Sequence, residues 1–343
     1  MLDWRKMEEH GAGPQGAVPQ GPGEQGGAPR EVGLRCTVEQ GAAGRGDRPA
    51  VSARTAPLHS PAVVRRLLDE RGLRPRKSLG QNFLVDGNIV ERIARAVDPH
   101  PGEWIIEIGP GLGALTQALA LRGARLIAVE KDGNLAGLLA ELFAEFPDVR
   151  IVHADALEVD LGSLLPEPDS ETVKIAGNLP YYITSPLLMA LLDAPLRIER
   201  LVVMVQKEVA DRLRAKPGTK AYGALTVAVA RRATIESAGR VPPTVFYPAP
   251  AVESETLVLK MRGRPLDAGD PAVFRELVKA AFGMRRKTLR NALKSLDLPP
   301  GELEKALAKA GIDPGRRGET LSVEEFSGLS RALSESCVCY NRG

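Results

Sequence analysis

The chain has 343 residues, a formal net charge of +3, a hydrophobic fraction of 43% and a charged fraction of 26%. These values are typical of a globular protein with one large or two ordinary domains. Charged residues interrupt every apolar run well before the roughly 18 residues that a membrane-spanning helix needs, so no such helix is predicted. The three cysteines, Cys36, Cys337 and Cys339, exclude a disulfide-rich scaffold and favour a cytoplasmic protein.

Residues 1–60 differ from the rest of the chain in composition. They are rich in glycine, proline, glutamine and alanine, and their few apolar residues follow neither a helical nor a strand period. We therefore expect a disordered Gly/Pro-rich extension. A functional tail is one interpretation of it, but a dispensable extension or a wrongly placed start codon is favoured.

Residues 61–263 show short apolar strands that alternate with amphipathic helices. Ser60 and Pro61 have the residue types of a helix N-cap and a first helical residue. Strands are predicted at Trp104–Ile108, Leu126–Val129, Arg150–Val152, Val173–Ala176 and Leu201–Val205, and helices at Ala114–Arg122, Asn134–Phe143, Pro186–Leu192 and Glu208–Ala215. This alternation predicts an α/β fold with a Rossmann-like parallel sheet covered on both faces. Two further runs, Thr234–Ser237 and Thr256–Met261, are expected to add an antiparallel edge.

From residue 264 onward the pattern becomes helical. Helices are predicted at Pro271–Phe282, Arg285–Ser295, Gly301–Ala310 and Val323–Leu333. We therefore expect a small C-terminal all-helical domain over residues 264–335, followed by a frayed tail at 336–343.

Three successive predicted strands end in residues suited to a nucleotide cofactor. Gly109 to Ala114 form a glycine-rich turn before a helix, in which Gly109 and Gly111 allow a ligand to approach the backbone. Glu130, 21 residues beyond Gly109, is placed to accept hydrogen bonds from ribose hydroxyls. Asp155 is placed to accept the adenine amino group of the cofactor, although a role as a helix cap is equally open. A nicotinamide oxidoreductase would explain the turn and Glu130 but neither Asp155 nor the motif described next.

Asn178-Leu179-Pro180-Tyr181 follows the fourth predicted strand and is suited to chemistry on an exocyclic amino group of adenine. The lone pair of that nitrogen is delocalised into the ring. Acceptors for both amino hydrogens, the Asn178 side-chain oxygen and the Leu179 carbonyl, would aim it at a methyl donor. Pro180 restricts the backbone around them, and Tyr181 can stack on the base. The alternative is a strand-to-helix turn with aromatic packing.

Together these motifs resemble the ribosomal RNA adenine dimethyltransferase family of the KsgA type. The similarity extends from about residue 65 to 335. It includes Lys77–Asp86, Glu107–Thr116, Val129-Glu130, Asp155-Ala156, Asn178–Tyr181, Gln206–Ala210, Tyr222-Gly223, Phe246–Ser254 and Phe282–Leu293.

The resemblance implies a class I methyltransferase sheet and S-adenosyl-L-methionine as the cofactor. It implies cofactor contacts at Asn82, Leu84, Gly109, Gly111, Glu130, Asp155 and Asn178. It also implies that Asn178, Leu179, Pro180 and Tyr181 bind the target adenine, with Phe246 as the second face of an aromatic sandwich. From the residues alone, Phe246 is equally suited to the core.

Basic residues concentrate at the start of the C-terminal region. Between Lys260 and Pro300 there are ten Lys or Arg residues and four Asp or Glu residues, a local net charge of +6. Such clusters favour phosphate contacts, although a solvated helical face has the same composition. The family resemblance favours docking to the ribosomal subunit. The candidates for RNA contact are Arg76, Lys77, Arg285, Arg286, Lys287 and Arg290.

The resemblance implies dimethylation of N6 in two adjacent adenosines of the 3′-terminal hairpin loop of 16S rRNA. The expected partner is the small ribosomal subunit or its precursor, with no membrane and no metal ion involved, and a monomer suffices. The alternatives are a 23S rRNA adenine methyltransferase that confers antibiotic resistance and a non-catalytic ribosome-assembly factor. Arg285–Asn291 and Leu179 favour the small-subunit enzyme.

Overall fold

The computed structural model describes residues 52–167 and 172–340, with the backbone alone described over 336–340. Residues 1–51 of the predicted extension and 341–343 of the predicted tail lie outside the described residues. No helix within the described ranges is long and apolar enough to cross a membrane.

A seven-stranded sheet forms the centre of the protein. The strands of the described chain are β1 (Phe83–Leu84), β2 (Trp104–Ile108), β3 (Arg125–Glu130), β4 (Val149–His153), β5 (Thr172–Asn178), β6 (Arg197–Gln206), β7 (Ala233–Val241), β8 (Phe246–Tyr247) and β9 (Ser254–Met261). Their order in the large sheet is β4-β3-β2-β5-β6-β9-β7. The first five strands are parallel, and β9 and β7 add an antiparallel edge, as predicted. The remaining pair, β1 and β8, forms a separate two-stranded ribbon.

Helices cover both faces of this sheet and make up the region after β9. They are α1 (Pro61–Glu70), α2 (Gly87–Val97), α3 (Ala114–Ala120), α4 (Gly133–Leu142), α5 (Thr184–Asp193), α6 (Lys207–Leu213), α7 (Ala224–Arg232), α8 (Pro271–Gly283), α9 (Leu289–Ala292), α10 (Glu302–Lys309) and α11 (Val323–Tyr340). Side chains alternate across β2, so Ile105 joins one apolar core while Ile106 and Ile108 join the other. The predicted α/β architecture is therefore confirmed.

The helices after β9 enclose a third apolar core. Phe274 of α8 and Phe326 of α11 lie in it, together with Val227 of α7 and Tyr222 just before α7. The hydroxyl of Tyr222 donates to the carbonyl of Leu321 at 2.8 Å. The helical region is thus joined to the sheet-bearing part through buried contacts at α7.

Two predictions for the helical region were wrong. The expected helix over Arg285–Ser295 is only the four-residue α9 followed by a turn of 3₁₀ helix, Leu293–Leu296. The backbone N–H of Leu289 donates to the Arg316 carbonyl at 2.6 Å, so a tertiary contact replaces the helical hydrogen bond there. In addition, α11 continues to Tyr340, so residues 336–340 are helical where we expected a frayed tail.

The expectation of disorder was also wrong for residues 52–60. Ala53 and Leu58 are fully buried in the apolar core beside α3 and α4. The buried amide of Gln117 on α3 donates to the carbonyls of Ala53 at 2.6 Å and Ala56 at 2.7 Å. It also accepts from the N–H of Leu58 at 3.0 Å. One polar side chain therefore satisfies three backbone groups of a segment that has no regular structure.

Candidate cofactor and adenine site

The glycine-rich turn between β2 and α3 adopts a backbone that only glycine accommodates without strain. Gly109, Gly111 and Gly113 have φ angles of 68°, 61° and 83°. A Cβ atom on Gly113 would lie 2.6 Å from a ring carbon of Phe143. The turn therefore brings bare backbone to the carboxyl edge of the sheet, where ligands of such folds bind.

Glu130 ends β3 with its carboxylate buried beside this turn. Its two oxygens accept from the N–H of Gly111 at 3.2 Å and the N–H of Asp132 at 2.9 Å. Burial raises the pKa of Glu130 from 4.5 to about 7, against the opposing effect of these backbone donors. A carboxylate held this way is a strong acceptor for ligand hydroxyl groups once it is ionised.

Asp155 follows β4 at the same edge of the sheet. One carboxylate oxygen accepts from the N–H of Leu157 at 3.0 Å, and the other lies 2.6 Å from Nζ of Lys131. The helix-cap alternative is not realised, because no helix begins at this point of the described chain and Asp155 closes a local turn. The carboxylate also faces the larger of the two cavities described below.

Asn178 is the last residue of β5 and presents an oriented amide. Its Nδ2 donates to the carbonyl of Asn82 at 3.0 Å, so its Oδ1 is the atom left to accept. No donor from the described residues reaches this oxygen. The N–H of Leu179 donates to the Met204 carbonyl on β6 at 3.2 Å, which holds the start of Leu179, the residue whose carbonyl is the second proposed acceptor. The side-chain acceptor of Asn178 is therefore oriented by the segment before β1, and Leu179 is anchored to β6 through its N–H.

The two tyrosines after Pro180 have different environments. Tyr181 is partly buried, and its hydroxyl lies 2.7 Å from that of Ser254 on β9. Burial raises the pKa of Tyr181, with the Ser254 hydrogen bond acting in the opposite direction, so the phenol is a neutral hydrogen-bonding group. Tyr182 is 54% exposed and lines the larger cavity. The sequence did not predict that Tyr182 lines a ligand site, because only its neighbour Tyr181 was suited to stacking on the base.

The segment before β1 contacts the Asn178 motif. Asn82 accepts from Asn178 through its carbonyl and donates from its own amide to the Gly80 carbonyl at 3.0 Å. Gly80 has a φ of 62°, and a Cβ there would lie 3.6 Å from Pro180 and 3.7 Å from Tyr182. The two segments therefore meet above the carboxyl edge of the sheet.

Two adjoining cavities, of about 500 and 660 Å³ including the space open to solvent, lie between these elements. Both are lined by Asn82, Phe83, Gly109, Gly111 and Asn178. Together they contain the features that an adenosyl cofactor requires: bare backbone, a buried carboxylate, a second carboxylate and an unused amide acceptor. The residues present therefore fit such a cofactor.

The structure brings most of the predicted cofactor residues together and adds others. Leu84 lines the smaller cavity, and Glu130 and Asp155 line the larger one. The sequence pattern did not indicate four further lining residues: Gln81, Glu107, Lys131 and Tyr182. Glu107 is buried in β2, where desolvation, reinforced by nearby Glu130, raises its pKa to about 7.

Phe246, the expected second face of the aromatic sandwich, does not lie where a stacking residue would be expected. It pairs with Leu84 across the β1–β8 ribbon, and its side chain is only 4% exposed within an apolar core. It lines neither of the two cavities. The geometry thus supports its alternative interpretation as a core residue more directly than a stacking role.

The six basic candidates for RNA contact divide into two groups. Arg285 donates to the carbonyls of Lys220 and Tyr222 at 3.0 and 2.7 Å, and Arg290 binds Glu304 at 2.8 Å. Arg76 lies 3.4 Å from the buried carboxylate of Asp132. The other three are exposed and form no ion pair within the described residues: Lys77, Arg286 and Lys287. The count of basic residues in the sequence could not separate these two groups, because it does not show which cations have a protein partner.

No three histidine, cysteine, aspartate or glutamate side chains in the described ranges are grouped so that they could hold a metal ion.

A known protein family and its named relatives match most of this chain. The family model for ribosomal RNA adenine dimethylase matches residues 72–335. The ribosomal RNA small subunit methyltransferase A of Moorella thermoacetica is 50% identical over 281 residues, which cover 80% of this chain and 98% of the relative. The protein of the same name from Geobacter metallireducens is 51% identical over 265 residues, 76% of this chain and 96% of the relative.

Solved structures show the same fold. The 23S rRNA methyltransferase ErmE is 30% identical with a TM-score of 0.56, and the match covers 74% of this chain and 99% of that one. A dimethyladenosine transferase from Plasmodium falciparum is 23% identical with a TM-score of 0.63, covering 72% and 95%. Because a family model spans most of the chain and relatives at about half identity align over nearly their whole length, the chain belongs to the ribosomal RNA adenine dimethylase family.

Proposed function

We propose that this protein transfers methyl groups from S-adenosyl-L-methionine to N6 of two adjacent adenosines in the 3′-terminal hairpin loop of 16S rRNA. The observation that carries the proposal is the oriented amide of Asn178, whose nitrogen is occupied by the Asn82 carbonyl at 3.0 Å. Its oxygen is therefore available to accept a hydrogen from an adenine amino group. The relatives named as small subunit methyltransferases support the choice of RNA.

In this proposal Asn178 and Leu179 determine the geometry of the reacting nitrogen. The Asn178 side-chain oxygen and the Leu179 carbonyl each accept one amino hydrogen, which draws the lone pair out of conjugation with the ring. Pro180, the residue after this carbonyl, has an extended backbone with φ −56° and ψ 129°. Tyr181 stacks on the base while its hydroxyl remains bound to Ser254.

The cofactor supplies a methyl group on a positively charged sulfur. Gly109 and Gly111 leave room for it along the backbone, and Glu130 accepts hydrogen bonds from its ribose hydroxyls. Asp155 would accept from its adenine amino group, and Asn82 and Leu84 line the smaller cavity. Alignment of the donor carbon with the adenine nitrogen then supplies much of the rate, without a metal ion or a covalent enzyme intermediate.

Docking to the small subunit is assigned to exposed cations. Arg286 and Lys287 lie on the exposed turn between α8 and α9, and Lys77 lies two residues before Leu79, which lines the larger cavity. The other three candidates already have protein partners: Arg76, Arg285 and Arg290. They contact the RNA through the exposed part of each guanidinium group. We assign residues 61–263 to methyl transfer and 264–335 to docking, in a protein that acts as a monomer in the cytoplasm.

The proposal is tested with labelled S-adenosyl-L-methionine and purified ribosomal particles. Small subunits from a strain that lacks this modification and, separately, large subunits are incubated with the protein. We expect label in the small-subunit RNA alone. Label only in the large-subunit RNA would assign the protein to the activity named for ErmE. Cofactor binding without any labelling would favour an assembly factor.

A further inference from the structure

An ion pair closes one side of the larger cavity. Lys131 directly follows the last residue of β3, and Asp155 lies just after β4, which is the neighbouring parallel strand. Their charged groups are 2.6 Å apart, and both side chains line the cavity. The family motifs that predicted Glu130 and Asp155 contain no indication of a cation between them.

This ion pair holds the Asp155 carboxylate in one orientation. One oxygen contacts Lys131 and the other accepts from the Leu157 N–H at 3.0 Å, so rotation of the carboxylate would break both contacts. The carboxylate is 15% exposed, whereas the Lys131 side chain is 50% exposed. Lys131 therefore gives this partly buried carboxylate a cationic partner at little desolvation cost to itself.

We infer that Lys131 is a positioning residue for the cofactor: it fixes the Asp155 carboxylate so that it accepts the 6-amino group of the cofactor's adenine. A carboxylate offers about four acceptor positions, so it can accept from the lysine, the Leu157 N–H and an amino group together. The inference rests on the proposed function, since it takes an adenosyl cofactor as the ligand of this cavity. It predicts that Lys131 favours ligands with a hydrogen-bond donor at the purine 6-position.

Calorimetric titration of the full chain tests this selectivity. The ligands are S-adenosylhomocysteine and its analogue with hydrogen in place of the 6-amino group. We expect Lys131→Met to weaken binding of S-adenosylhomocysteine by about five- to tenfold, the scale of one hydrogen bond. Binding of the analogue should be unchanged, and Lys131→Arg should restore most of the affinity for S-adenosylhomocysteine.

Two results would overturn the inference. Unchanged or tighter binding of S-adenosylhomocysteine to Lys131→Met would show that the lysine is neutral or competes with the ligand. An equal loss for both ligands would show that the substitution merely distorts the cavity. In an Asp155→Asn background, Lys131→Met should no longer alter the ratio of the two affinities, and a persistent change would also contradict the inference.

Lys260→Met is a matched control. Lys260 is 47% exposed and lies 2.8 Å from Glu236, so this variant breaks a comparable ion pair between β9 and β7, away from both cavities. It should leave both affinities unchanged. If the unaltered protein fails to bind S-adenosylhomocysteine, the proposed function fails. If it binds and Lys131→Met binds equally well, only the role of Lys131 fails.

Discussion

Cofactor affinity should depend on pH through Glu130. Burial raises the pKa of this carboxyl group from 4.5 to about 7, despite hydrogen bonds from the N–H groups of Asp132 and Gly111. The ionised form accepts hydrogen bonds from both ribose hydroxyls, whereas the protonated form uses one oxygen as a donor. Affinity should therefore be highest above pH 7 and fall as the pH is lowered.

The size of the effect follows from that pKa. If only the ionised form binds, each pH unit below about 7 lowers the ionised fraction, and with it the affinity, by up to about tenfold, or about 1.4 kcal/mol. An unperturbed glutamate would give a flat profile between about pH 6 and 8, because it titrates near 4.3. The two cases are therefore distinguishable within the pH range where most proteins remain folded.

Titration of S-adenosylhomocysteine at a series of pH values measures this dependence. The unaltered protein should lose affinity as the pH falls from 8 to 6, and Glu130→Gln should bind weakly with a flat profile. A flat profile for the unaltered protein would refute the reasoning. The same slope in Glu130→Gln would assign the titration to another group, and Glu107 is the candidate because its pKa is also about 7.

Three further predictions concern catalysis, docking and folding. Asn178→Ala should lower the rate of methyl transfer by about 10²–10³-fold with nearly unchanged RNA affinity; an equal rate in single-turnover assays would refute the proposed role. Replacement of both Arg286 and Lys287 by glutamate should lower RNA affinity. It should also reduce the magnitude of the slope of log affinity against log salt concentration by about two. An unchanged slope in filter binding would place the RNA contact elsewhere, and Arg95→Glu, at an exposed cation outside the six candidates, is the control. Gln117→Ala should lower the free energy of unfolding by about 2–4 kcal/mol, since it leaves two buried backbone groups and one partly buried one without this partner; a loss below about 1 kcal/mol in urea would contradict this.

Local patterns in the sequence were sufficient to predict the sheet and much of the site. The parallel strands are short apolar runs at regular spacing, so period and length identify them. Gly109, Glu130 and Asp155 follow three successive strands, and parallel strands place their carboxyl ends on one edge. The order of elements thus predicts that these residues lie close together before any contact is known.

Long-range contacts account for what could not be predicted. The burial of Leu58 depends on Gln117, 59 residues away, which no local pattern indicates. The helical period around Leu289 is overridden by a backbone contact to Arg316. Lys131 and Arg290 look alike in a charge count, yet one borders the cavity and the other binds Glu304. Such partners are determined by tertiary packing, and the sequence pattern contains no record of them.

Identification of the modified nucleoside tests the central claim most directly. Small subunits that lack the modification are treated with the protein and S-adenosyl-L-methionine, and the 3′-terminal hairpin is isolated and analysed by mass spectrometry. We predict N6,N6-dimethyladenosine at two adjacent positions, and none when Asn178→Ala replaces the unaltered protein for the same reaction time. Methylation of a ring nitrogen, of a ribose or of another base would contradict the role assigned to Asn178 and Leu179.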